Sequence, residues 1–149
     1  MNVIAEQEEM IIIQIYLAGG MTNVSFEEAN RWRVKIKHEL ENYECDSKIK
    51  CINPQDYYKI SDDSAYDSER EVMEFDLYNV KTSDILIVNF NDVHSLGTMA
   101  EMATAYELRK PILGLNIGNE ELHPWQEEMC NKMFDDMDKL INYVKNYYL

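Results

Sequence analysis

The residues of this chain that could do chemistry gather in one stretch, IVNFNDVHSLGTMAEMATAYELRKP, residues 87–111. It leaves an apolar run, passes Asn, Asp, His and Ser, turns at Gly97 and reaches Glu101. Ser95 and Thr98 supply hydroxyls, and Gly97 permits close approach to the backbone. A helix predicted to begin near Thr98 directs its first N–H groups to the same rim, so the turn suits one phosphate. Glu101 then has two readings. It is an acid in the first turn, gaining up to ~1 kcal/mol from the helix dipole, or it is a reacting group beside an anion site. Asp76 is a second acid, placed mid-helix between Phe75 and Leu77, where aspartate is a poor helix former. It reads as a solvated acid or as a proton donor facing the same cleft. Two carboxyls in one cleft with an anion site suit cleavage of a glycosidic bond. One attacks or stabilises the anomeric carbon, and the other manages the leaving group's proton.

A second turn, YLAGGMTN, offers Tyr16, Gly19, Gly20 and Thr22. Adjacent glycines bring backbone N–H groups close to an anionic ligand, although a plain strand-to-helix turn accounts for the same residues.

These groups need a scaffold, and the apolar patterning supplies one. IIIQIYLAGG (residues 11–20) reads as a buried parallel strand, KIKCINP as a short strand stopped by Pro54, ILIVNF as a fully apolar strand and PILGLN as another strand. Between them, SFEEANRWRVKIKHELENY reads as a helix whose Ser25 and Glu28 make a capping-box signature. Its apolar stripe, Phe26, Ala29, Ile36 and Leu40, is interrupted by Arg33. EREVMEFDLYNVKTSD and GTMAEMATAYELRK read as further helices. HPWQEEM reads as a short loop or helical turn, and FDDMDKLINYVKNYYL as a final helix with Phe134, Met137, Ile141, Val144 and Tyr148 in register. Residues 55–68 are acidic, tyrosine-rich and aperiodic, which predicts a surface loop. Alternation of strands and helices predicts an α/β fold: a doubly wound parallel sheet of about five strands, with helices on both faces. Ligands bind such sheets outside the carboxyl ends of the strands, which puts the loops 19–23, 53–66 and 89–98 on one rim. A single domain is expected over 1–149, with 1–9 as a disordered lead.

Bulk composition narrows the partners. Of 149 residues, 28 are acidic and 14 basic, a net charge of −14 that disfavours nucleic acid polymers and anionic membranes. It leaves room for a small phosphorylated ligand held by local N–H groups. Cys45, Cys51 and Cys130 show no metal-binding spacing, so they read as reduced thiols of a cytoplasmic protein, and no metal is expected. The start lacks a basic segment before its apolar run, so it does not read as a secretory signal.

IYLAGGMTN, FDLYNVKTSDILIVNF and SLGTMAEMATAYELRKPILGLN together resemble the nucleoside 2-deoxyribosyltransferase superfamily. The resemblance implies a flavodoxin-like fold, a small nucleoside or nucleotide substrate and no cofactor. It implies Glu101 as the nucleophile that forms a covalent glycosyl–enzyme, Asp76 as the acid assisting the leaving base, and Tyr16 as a group that orients the nucleophile or closes the sugar pocket. Base-exchanging members usually carry an aspartate six residues before the nucleophile, where this chain has Ser95. SLGTMAE is similar to the branch that hydrolyses nucleoside 5′-monophosphates, in which this serine contacts the phosphate. A hydroxyl and the Gly97 N–H can bind a dianion that an aspartate would repel. Gly20, Met21 and Thr22 would complete that cradle. The basic residue this branch often has in the first loop is absent from GGMTN, leaving Arg31 and Arg33 as available substitutes. The resemblance also implies a homodimer or larger homo-oligomer in which a neighbour contributes to the site, with His123 and Trp125 as candidates, although a surface loop packed on its own subunit accounts for the same residues.

Overall fold

The computed structural model describes residues 9–57 and 66–149. The elements run β1 (Ile12–Gly19), α1 (Phe26–Glu41), β2 (Lys48–Ile52), α2 (Glu69–Thr82), β3 (Ile85–Asn89) and α3 (Leu96–Glu107). Then follow β4 (Ile112–Leu115), α4 (Pro124–Met129), β5 (Lys132–Phe134) and α5 (Met137–Tyr147). All strand pairs are parallel, in the order β2-β1-β3-β4-β5. This is the flavodoxin-like order, in which the connections leaving β1 and β3 run to opposite faces of the sheet and open a crevice between the two strands.

The period of two along β1 sorts its side chains onto two faces. Ile15 and Leu17 pack with Trp32, Ile36 and Leu40 of α1 and with Leu140, Ile141 and Val144 of α5. Tyr16 and Ala18 face the other way, with Val80 of α2 and Met102 and Ala105 of α3. Helix starts are locally encoded. Ser25, Ser68, Ser95 and Asp136 each accept the N–H of the residue three ahead, a cap worth about 1 kcal/mol. Burial pushes the thiols of Cys51 and Cys130 up to about 12, and all three cysteines are free. Among the described residues no helix is long and apolar enough to cross a membrane.

Three local expectations need correction. α3 begins at Leu96, so Glu101 is its sixth residue and stands in the second turn. The first-turn electrostatic reading of that acid therefore lapses, because the dipole effect fades within one turn. Phe134 belongs to β5 and not to the last helix. A three-residue edge strand is too short to show a period of its own, and its phenylalanine happens to continue the helical spacing. In α1, Phe26 is 48% exposed, while Trp32 and Arg33 are buried. The expected surface loop at 55–68 opens with a 3-10 turn at Pro54–Asp56 capped by the buried Asn53. Its central part, 58–65, lies outside the described residues, as do 1–8 of the expected disordered lead.

Candidate active site

Four elements converge at the carboxyl end of β1. From α3, Glu101 reaches the crevice with only 9% of its surface exposed. Tyr16, fully buried on β1, meets it from the sheet. Asp76 approaches from α2, and the guanidinium of Arg33 from α1. Burial pushes the Glu101 carboxyl up to about 8. The hydrogen bond from Tyr16 pulls it back, the Asp76 charge raises it further, and Arg33 lowers it. A buried carboxyl with a titration point near neutrality, in a cleft and with named charge partners, is a candidate reacting group on physical grounds.

The cleft holds about 540 Å³. Gly19, Met21, Thr22, Asp76, Ser95, Gly97, Thr98 and Glu101 line it together, although they come from three separate stretches of sequence. Tyr16 is not part of that lining and reaches Glu101 through its hydrogen bond. Gly20 lies off the lining, and its N–H is taken by Asn91 Oδ1 at 2.9 Å. A Cβ on Gly20 would come within 2.6 Å of Asp92 Cβ, so this glycine serves the packing of the first loop against the β3–α3 loop. Ser95 is the N-cap of α3. Its Oγ accepts both the Thr98 N–H at 3.3 Å and the Thr98 hydroxyl at 2.8 Å. With both lone pairs engaged, its own proton is left to donate outward. His123 and Trp125 lie outside the cleft, in an adjoining groove of about 770 Å³ that shares His94 and Leu96 with it. The His123 ring caps α4 by accepting the Trp125 N–H, and the Trp125 side chain is 67% exposed.

Sequence reasoning missed Glu69 and Asp92, two further carboxylates of the cleft wall. Asp92 is tied into its loop by Asn23 and by the His94 N–H. Of the two arginines weighed above, Arg31 pairs with Glu27 at the surface, while Arg33 is buried beside the site. The signal for Arg33 was visible: it is the charged residue that interrupts the α1 stripe. Among the described residues no group of three or more His, Cys, Asp or Glu side chains is placed to hold a metal ion.

A sequence model of the family described as nucleoside 2-deoxyribosyltransferase matches residues 15–143. This chain belongs to that family. Its members are enzymes of nucleoside and nucleotide N-glycosidic chemistry. A conserved protein from Enterococcus faecalis has the same fold at 18% identity and a TM-score of 0.72, with 91% of this chain and 98% of that one covered. A 2-deoxyribosyltransferase from Bacillus psychrosaccharolyticus follows at 20% identity and TM-score 0.70, covering 87% and 91%. A CMP N-glycosidase from Clostridium botulinum is similar at 16% identity and TM-score 0.56, covering 90% and 98%. At these identities the likeness is one of fold. No curated protein matches the chain in sequence.

Proposed function

We propose that this protein hydrolyses the N-glycosidic bond of a nucleoside 5′-monophosphate through a covalent glycosyl–Glu101 intermediate. The observation that carries the reading is the buried Glu101 carboxyl on the cleft wall, attended by Tyr16 and Asp76. In the first step the C1′–N bond breaks, a carboxylate oxygen of Glu101 bonds to C1′, and Asp76 gives a proton to the departing base. In the second, water adds to C1′, the ester bond to Glu101 breaks, and Asp76 takes the water's proton. Tyr16 holds the carboxylate in line by its hydrogen bond. The outward-donating Ser95 hydroxyl and the N–H groups of Leu96 and Gly97, which precede the N–H that Ser95 caps, support a phosphate position.

Attack requires ionised Glu101. For the free enzyme kcat/KM is therefore expected to rise with pH toward about 8 on its acid limb, as Glu101 ionises. A profile flat from pH 6 to 9 would remove Glu101 as the titrating nucleophile.

Base exchange between deoxynucleosides is the second reading, and Glu69 and Asp92 favour it, because carboxylates in the wall oppose a phosphate dianion. Chromatography of the common nucleoside monophosphates and nucleosides, with and without a free acceptor base, separates the two. Free base and sugar 5-phosphate from a monophosphate support hydrolysis, and a new nucleoside formed only with acceptor supports transfer. Ser95→Asp is expected to reduce monophosphate turnover at least ~10-fold more than nucleoside turnover. Equal losses on both would remove the phosphate role.

The exposed Trp125 beside the cleft further supports a homo-oligomer in which this groove is covered by a neighbouring subunit. Light scattering is expected to give at least twice the 17.6 kDa chain mass. A monomer with full activity would end that proposal.

A further inference from the structure

Arg33 is the largest fully buried side chain among the described residues. Its Nε donates to Leu17 O at 3.0 Å and one terminal nitrogen donates to Gly19 O at 3.0 Å. The other terminal nitrogen donates to Ala29 O, and the guanidinium carbon sits 4.7 Å over the Trp32 ring. Three carbonyls thus solvate the cation, but among the described residues no carboxylate oxygen lies within 4.0 Å of it. Burying a cation without an ion-pair partner is costly, and an apolar side chain would fill the same α1 position without that cost. Helix–sheet packing alone therefore gives no reason for an arginine here.

Position supplies the reason. Arg33 Nη2 lies 3.4 Å from where a Cβ on Gly19 would be, and Gly19 is part of the cleft wall. The charge stands immediately behind that wall. Among the described residues, the charged and titratable groups around Glu101 are Tyr16 on β1, Arg33 on α1, Asp76 and Glu69 on α2, and Asp92 and His94 on the β3–α3 loop. Apart from His94, Arg33 alone among these can carry positive charge. We propose that Arg33 is a positioning residue that favours the ionised form of Glu101 against the burial that opposes it, its cation fastened to the end of β1 to offset the carboxylates of the cleft. The inference rests on the role proposed above for Glu101. Burial lowers Arg33 only to about 10, so it remains a cation throughout the working range.

The test is a 13C NMR titration of the Glu101 side-chain carboxyl in glutamate-labelled protein without substrate, its resonance identified by loss in E101Q. R33M is expected to raise the midpoint by about one pH unit or more. R33K, which keeps the charge, is expected to hold it within about half a unit. An unchanged midpoint in R33M, or equal shifts in both variants, would overturn the proposal and leave Arg33 as a backbone anchor. Should R33M fail to fold, the double variant R33M/E101Q, which removes both charges, is expected to fold. Its failure would likewise reduce Arg33 to an anchor. No turnover is needed for this reading, so an inactive protein would sink the proposed glycosidase function and leave the titration result standing.

Discussion

Replacing Glu101 by glutamine is expected to lower kcat by roughly ten-thousand-fold or more while the fold persists. The amide matches the carboxyl in shape and occupies the same pocket, so packing with Tyr16 is retained. It cannot form the glycosyl ester, and both steps of the proposed reaction run through that ester. Residual activity within tenfold of wild type would exclude Glu101 as the nucleophile.

The same substitution carries a stability signature of opposite sign. Burial holds the Glu101 carboxyl at about 8 against its ordinary 4.5, so the folded state prefers the protonated form. Stability from this group is complete below pH 4.5 and is lost as pH rises through about 8. Glutamine has no proton to lose. E101Q is therefore expected to melt with wild type at pH 4 and roughly 5 °C higher at pH 9. A lower melting temperature at pH 9 would mean that the ionised carboxyl is a net structural asset. The expected exchange, more stability for no catalysis, is what a strained reacting group produces.

The second large effect is expected at Gly19. A Cβ there would sit 2.9 Å from Trp32 Cζ2, 3.3 Å from the Asn89 carbonyl oxygen and 3.4 Å from Arg33 Nη2. One neighbour is a rigid ring packed in the core and another is backbone of β3, so neither yields cheaply. Gly19→Ala should cost about 2–3 kcal/mol by overpacking, a fall in melting temperature of roughly 4–12 °C. Because the displaced groups hold the cleft wall and Arg33, kcat/KM should fall at least ~10-fold in the protein that remains folded. Gly97→Ala is the control. Nothing lies within 4 Å of its added Cβ, and the position is inside α3. Its melting temperature should stay level or rise by a few degrees, as alanine is the better helix former. Wild-type stability in Gly19→Ala would show that Trp32 and Arg33 can relax away.

Much of the architecture was legible because it rests on local rules. Apolar runs of strand length alternate with amphipathic helices, which dictates a parallel sheet with two covered faces. Ser25 and its counterparts mark helix starts through contacts only three residues long. The two acids at Asp76 and Glu101 drew notice by residue type and position, before any cleft was known. What the tertiary structure decided lies in contacts between distant segments. Gly20 and Asn91 are 71 positions apart, and only their meeting reveals that the second glycine's N–H is occupied. The three-residue β5 exists because β4 offers an edge, not because KMF is a strong strand former. Most of all, the sequence by itself could register Arg33 only as a flaw in an apolar stripe. Folding carries that residue beneath the end of β1, where backbone carbonyls replace its water and its charge acts on Glu101. The energy of a buried charge is set by what surrounds it in three dimensions, and no local pattern contains that information.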